Sequence, residues 1–110
     1  MNFSIRGRHI ELTAALLGHV ERRLRFTLSR FRQKIGRVAV QLLDLNGRPG
    51  GLDKRCRVTV TLTLSPSGKV MVEASDADLH AAIDRAADRL ERSVKRELER
   101  RRETQSTGAM

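Results

Sequence analysis

The chain has 110 residues, 39% of them apolar and 32% charged, which is room for one small domain and no separate catalytic or dimerisation module. Its 22 basic and 13 acidic residues leave a net charge of +9, so a polyanion is the first partner to consider, nucleic acid ahead of an anionic membrane. A single cysteine, Cys56, excludes an intramolecular disulfide framework and a Cys-based zinc cluster. No apolar run approaches the roughly 20 residues that span a bilayer, and the opening MNFSIRGRHIEL lacks the apolar region of a secretory signal; both point to a cytoplasmic protein with no membrane partner.

In chain order, Phe3 and Ile5 alternate with Asn2, Ser4 and Arg6 in a short strand, and Gly7 opens a turn. Thr13 is placed to cap a helix running to about Arg32, with Leu17, Val20, Leu24, Leu28 and Phe31 as its apolar stripe. Residues 37–45 form a strand with Val38, Val40 and Leu42 on one side, broken by NGRPGG at 46–51. The cleanest alternation follows, Cys56, Val58, Val60, Leu62 and Leu64 against Arg57, Thr59, Thr61 and Thr63, with one buried and one wet face. Ser65-Pro66-Ser67-Gly68 supplies a hairpin turn into a strand with Val70, Val72 and Ala74 inward. The last helix starts at a Ser75/Asp78 capping box, with Asp76 competing, and runs to about Arg102 on a stripe of Leu79, Ile83, Ala86, Leu90, Val94 and Leu98. The expectation is a single α+β domain over 1–103, a two-layer sandwich of order β-α-β-β-β-α with an antiparallel meander in its four-stranded sheet and both helices packed on one face. Residues 104–110 have no pattern and are expected to be disordered.

Charge is unevenly spread: residues 1–75 hold 14 Lys/Arg and 5 Asp/Glu, residues 76–110 hold 8 of each. Of the 22 cations 18 are Arg, whose planar fork suits bidentate phosphate contacts. At about 100° per residue, Arg85, Arg89, Arg92 and Arg96 cluster roughly 145° from the centre of the last helix's stripe, facing away from the sheet. Arg22, Arg23, Arg25 and Arg30 lie on the half of the first helix opposite Leu17, Val20, Leu24 and Phe31. Side by side, the two helices would present one continuous Arg-lined surface fit for RNA. The bland alternative is a solvated face with weak i,i+4 pairs such as Asp88 with Arg92 and Glu91 with Lys95. It fits the first helix poorly, because residues 20–37 carry seven cations against Glu21 alone. Phe26 falls on the basic side, where it could stack on a base or fill a groove.

Nothing supports an enzyme. His9, His19 and His80 have no metal-ligand spacing, the carboxylates of the last helix sit among Arg residues, and no P-loop, GxGxxG or GxSxG occurs. Neither a cofactor, a metal nor a small-molecule substrate is expected, and Cys56 reads as a buried small apolar residue.

The opening IRGRHIELTAALLGHVERRL and the closing SDADLHAAIDRAADRLERSVKR resemble the ribosome hibernation promoting factor family, ribosome-associated inhibitors of translation, in a short form. The resemblance covers about residues 3–102. It implies a β-α-β-β-β-α domain that enters the mRNA and tRNA channel of the small ribosomal subunit, touches its rRNA, and silences the idle ribosome by steric occlusion. Arg23, Arg89, Arg92 and Arg96 match positions that contact RNA in the family; Arg22, Arg25, Arg85 and Lys95 are added from helical geometry. His80 stands where the family has an aromatic, usually Tyr. The competing readings are a double-stranded RNA-binding module, whose last helix would start Lys-rich rather than with Asp76 and Asp78, and a regulatory protein-interaction domain using the wet, Thr-rich sheet face.

Overall fold

A computed structural model describes residues 1–45, 51–64 and 66–108, with side chains to Glu103. The elements are β1 (Asn2–Arg8), α1 (Ala14–Leu28), a 3-10 turn (Ser29–Lys34), β2 (Ile35–Asp44), β3 (Lys54–Leu62), β4 (Gly68–Asp76) and α2 (Leu79–Gly108). The sheet order is β1-β2-β3-β4. β2, β3 and β4 form the expected antiparallel meander, while β1 lies parallel to β2, with Phe3 opposite Val38 and Ile5 opposite Val40. A parallel neighbour needs a crossover, and α1 is that crossover.

Alternation fixes the layers. Val38, Val40 and Leu42 of β2, Cys56, Val58, Val60 and Leu62 of β3, and Val70, Val72 and Ala74 of β4 are all buried. Their inward sides form one core with Leu16, Val20, Leu24 and Leu28 of α1 and Ile83, Ala86, Leu90 and Val94 of α2. Both helices therefore cover the same sheet face, α2 lying over β4 and β3 and touching α1 along its flank.

Local details depart from expectation. His9, at φ 60°, makes the turn after β1. Gly7 instead stays within the strand, at a place where a Cβ would stand 2.9 Å from Leu12 Cδ2. Thr13 caps α1 as expected, its Oγ1 accepting from Leu16 N at 3.1 Å, but the α-helix gives way to 3-10 geometry at Ser29, before Arg32. Leu16 and Thr27 are buried, while Leu17 and Phe31 are half-buried, so the α1 stripe is turned from the expected one. The α2 cap is Asp78: its Oδ2 accepts from Ala81 N at 3.1 Å, while Asp76 Oδ1 accepts from Asp78 N at 3.0 Å. The capping box fails because Ser75 is still in the strand. Ala82 and Ala87 join the α2 stripe fully buried, small enough to let the helix lie close. The helix carries on to Gly108, past the expected end near Arg102 and into the stretch expected to be disordered; no proline interrupts it there. The turn residues 46–50 and Ser65 lie outside the described residues.

Cys56 is 1% exposed, and burial pushes its thiol from 9.0 up to about 12. The folded thiol ionises later than the unfolded one, so its contribution to stability is present below about pH 9 and is lost as pH rises toward 12. The expected result is no reaction with Ellman's reagent in the native state at mild alkaline pH and one equivalent after unfolding in guanidinium chloride. Stoichiometric labelling of the native protein at the rate of a free thiol would contradict the burial.

Candidate nucleic-acid interface

The outer surface of α2 divides lengthwise. At about 100° per residue, Arg85, Arg89, Arg92 and Arg96 fall on the side toward β4, and Asp84, Asp88 and Glu91 on the side toward α1. On the β4 side, Arg89, Arg92 and Arg96 line a groove with Ser93, Val72 and Glu73. Arg89 Nη1 donates to the Glu73 carbonyl at 2.6 Å and Arg85 Nη1 to the Ser75 carbonyl at 3.2 Å. Rather than facing away from the sheet, these two side chains reach over its rim, because α2 lies over the edge strand. A carbonyl holds a guanidinium without cancelling its charge, so the row stays cationic. Of this row, among the described residues, only Arg85 has a carboxylate within reach, Asp76 Oδ2 at 3.7 Å; exposed pairs of this kind contribute little.

The other side of α2 faces α1 across a seam of ion pairs. Arg23 reaches Asp84 at 3.3 Å and Asp88 at 2.9 Å, and its guanidinium also donates to Thr27 Oγ1. Arg30 pairs with Glu91 at 3.1 Å. His19 Nε2 stands 3.5 Å from Asp84 Oδ1, with its ring centroid 4.6 Å from that of His80. The acids of α2 thus pair across to α1 and not along their own helix with Arg92 and Lys95, as i,i+4 spacing had suggested.

The expected plate is therefore not continuous. Arg23 and Arg30 are drawn into the seam, and Arg25 turns the other way, pairing with Glu21 at 2.9 Å and stacking 4.7 Å over the Phe3 ring. Arg22 is exposed on the outer face of α1. The reason is the α1 phase: once Leu16 and Thr27 are counted inside, Arg23 sits on the flank of the stripe, not opposite it. Lys95 is exposed on the acid-bearing half of α2. Among the described residues, Arg22, Arg92, Lys95 and Arg96 have no carboxylate partner. Phe26 is 79% exposed and lines a depression with Arg23, Ser29, Arg30, Asp88 and Glu91, so it fills no groove of the domain itself.

The family described as Sigma 54 modulation protein / S30EA ribosomal protein matches residues 3–102. The chain belongs to this family. It is 33% identical over 96 residues to a ribosome hibernation promotion factor of Deinococcus radiodurans, covering 86% of this chain and 47% of that protein. A Bacillus subtilis protein of the same name is 34% identical over 97 residues, covering 87% and 48%. The chain thus spans about half the length of these two relatives. A ribosome hibernation promoting factor of Pseudomonas putida is 32% identical over 100 residues, covering 91% of this chain and 89% of its own length. Among solved structures, the N-terminal domain of Protein Y from Thermus thermophilus superposes with a TM-score of 0.68 at 40% identity, covering 87% of this chain and 98% of that one.

Proposed function

We propose that the chain is a ribosome hibernation factor acting in the cytoplasm: it binds the small ribosomal subunit in the channel used by mRNA and tRNA anticodon stems, and silences the idle ribosome by occupying that space. The role is one of occupancy, with no chemistry and no small-molecule substrate. The observation that carries the reading is the groove lined by Arg89, Arg92 and Arg96 beside β4, where a backbone carbonyl holds the Arg89 guanidinium at the sheet rim and leaves its charge over for phosphates. Family membership supplies the ribosomal setting, through relatives named for hibernation. On this reading the α2 row makes the principal rRNA contact, and Arg22, Arg25, Arg30 and Lys95 add peripheral ones. Arg23 keeps the helices in register through Asp84 and Asp88 as much as it touches RNA.

Binding of this kind is dominated by counterion release. Co-sedimentation with purified small subunits and intact ribosomes is expected to weaken on the order of a thousandfold between about 50 and 200 mM salt, as neutralising about six phosphates requires. Absence of co-sedimentation at low salt, or binding insensitive to salt, would overturn the proposal. A preference for plain RNA duplexes over ribosomes in a gel shift would favour a duplex-binding module instead.

A further inference from the structure

The sheet face turned away from the helices carries a second set of cations, distinct from the helix surface. Since Phe3, Ile5, Val38, Val40, Val58 and Val60 turn inward, their neighbours in each strand turn out. The pairing registers then order the outward residues in rows across the sheet. One row runs Asn2, Arg37, Thr61, Lys69; the next Ser4, Ala39, Thr59, Met71; the third Arg6, Gln41, Arg57, Glu73; and Arg8, Leu43, Arg55 and Ser75 form the last.

Across β1 to β3 the second row is low, and the rows beside it raise Arg37 on one side and Arg6 and Arg57 on the other. The result is an open trough of about 600 Å³, floored by Ser4, Ala39 and Thr59, with Arg37 on one bank and Arg6 and Arg57 on the other. From Arg37 to Gln41 the banks stand four residues apart along β2, about 13 Å at about 3.3 Å per residue.

Among the described residues, six cations of this face (Arg6, Arg8, Arg37, Arg55, Arg57 and Lys69) meet one carboxylate. Glu73 holds Arg57 at 2.8 Å and lies 3.6 Å from Arg55, while Arg6, Arg8, Arg37 and Lys69 have no acidic partner among the described residues. Such a field draws a polyanion. A 13 Å gap admits one sugar–phosphate strand but not a double helix between its banks. The floor has hydroxyl groups, and Phe3, the aromatic residue among the lining, turns its ring to the core under Arg25, where no base could stack on it, so the grip falls on the backbone and is indifferent to sequence.

We propose that this trough holds a segment of single-stranded RNA by its phosphates, on the opposite side of the domain from the α2 groove. That the strand is RNA rests on the ribosomal setting of the proposed function; the charge and shape argument does not. The domain would then be gripped by nucleic acid on both faces.

The test uses the full chain and a labelled oligouridine of about twelve nucleotides, within the usual span of a single-strand site, followed by fluorescence anisotropy. Arg6→Glu with Arg37→Glu changes two exposed side chains that have no acidic partner among the described residues. It is expected to weaken binding by at least about tenfold and to lower the log–log salt slope by about 1.4, at about 0.7 per lost phosphate contact. Circular dichroism reports the fold, and should the double reversal fail to fold, Arg6→Gln with Arg37→Gln is expected to weaken binding in the same direction by less. The α2 reversal of Arg89, Arg92 and Arg96 is expected to keep the oligonucleotide while losing ribosomes, which separates this proposal from the previous one. No binding by the unaltered protein, unchanged binding by both folded sheet-face variants, or loss of the oligonucleotide on α2 reversal would each overturn it.

Discussion

Replacing Arg89, Arg92 and Arg96 by Glu is expected to abolish co-sedimentation with small subunits while leaving the circular dichroism spectrum and melting temperature nearly unchanged. All three side chains are exposed, and among the described residues the one intramolecular bond at stake is that of Arg89 to the Glu73 carbonyl. Each charge-assisted contact to phosphate contributes roughly 1.5–3 kcal/mol, so losing three is a loss on the order of a thousandfold or more, before the repulsion of three new carboxylates is added. Retained binding with a native spectrum would remove the α2 groove from the interface. Arg23→Ala is the instructive contrast: it frees Asp84 and Asp88 at the seam and is expected to loosen the packing of the helices more than it weakens RNA binding.

The largest effect on stability is expected from Leu90→Ala. Leu90 is fully buried in the part of α2 that covers the sheet, and truncating it costs about 3 kcal/mol in lost transfer energy and residual cavity. A domain of this size holds only about 5–15 kcal/mol in all, so the melting temperature should fall by about 10 °C or more. Met71→Ala on the open sheet face, where the side chain is 62% exposed, should stay within about 0.5 kcal/mol. A thermal melt of both variants checks the layering of the fold; equal shifts would contradict it.

The alternation of β2, β3 and β4 is plain in the sequence because each strand has one wet and one dry face, and period two is hard to mistake. The same holds for Ile83, Ala86, Leu90 and Val94. What the sequence hid has physical causes. Pairing direction is not a property of one strand, so the parallel seating of β1 on β2 could be read only through the crossover helix. In α1 the phase is hidden because Leu17 and Phe31 look like core residues and Thr27 does not, yet Thr27 turns inward with its hydroxyl donating to the Arg23 carbonyl at 2.9 Å. That difference in phase brings Arg23 to the seam with Asp84 and Asp88. The acids of α2 were visible as partners, but whether Asp88 and Glu91 pair along their helix or across to α1 depends on how the helices lie together. The sheet-face cations are legible in the sequence: Arg37, Arg55 and Arg57 sit at the outward positions of strands whose inward residues the alternation makes plain.

The hydrogen bonds from Arg85 and Arg89 to the outer carbonyls of β4 bear on self-association. An exposed edge strand is a template on which another copy can add a strand and begin a fibril. Here bulky cations occupy those acceptor sites, and like charge on an approaching copy repels it. The same side chains that leave charge over for a polyanion would thus also keep copies of the protein from adding to one another along this margin.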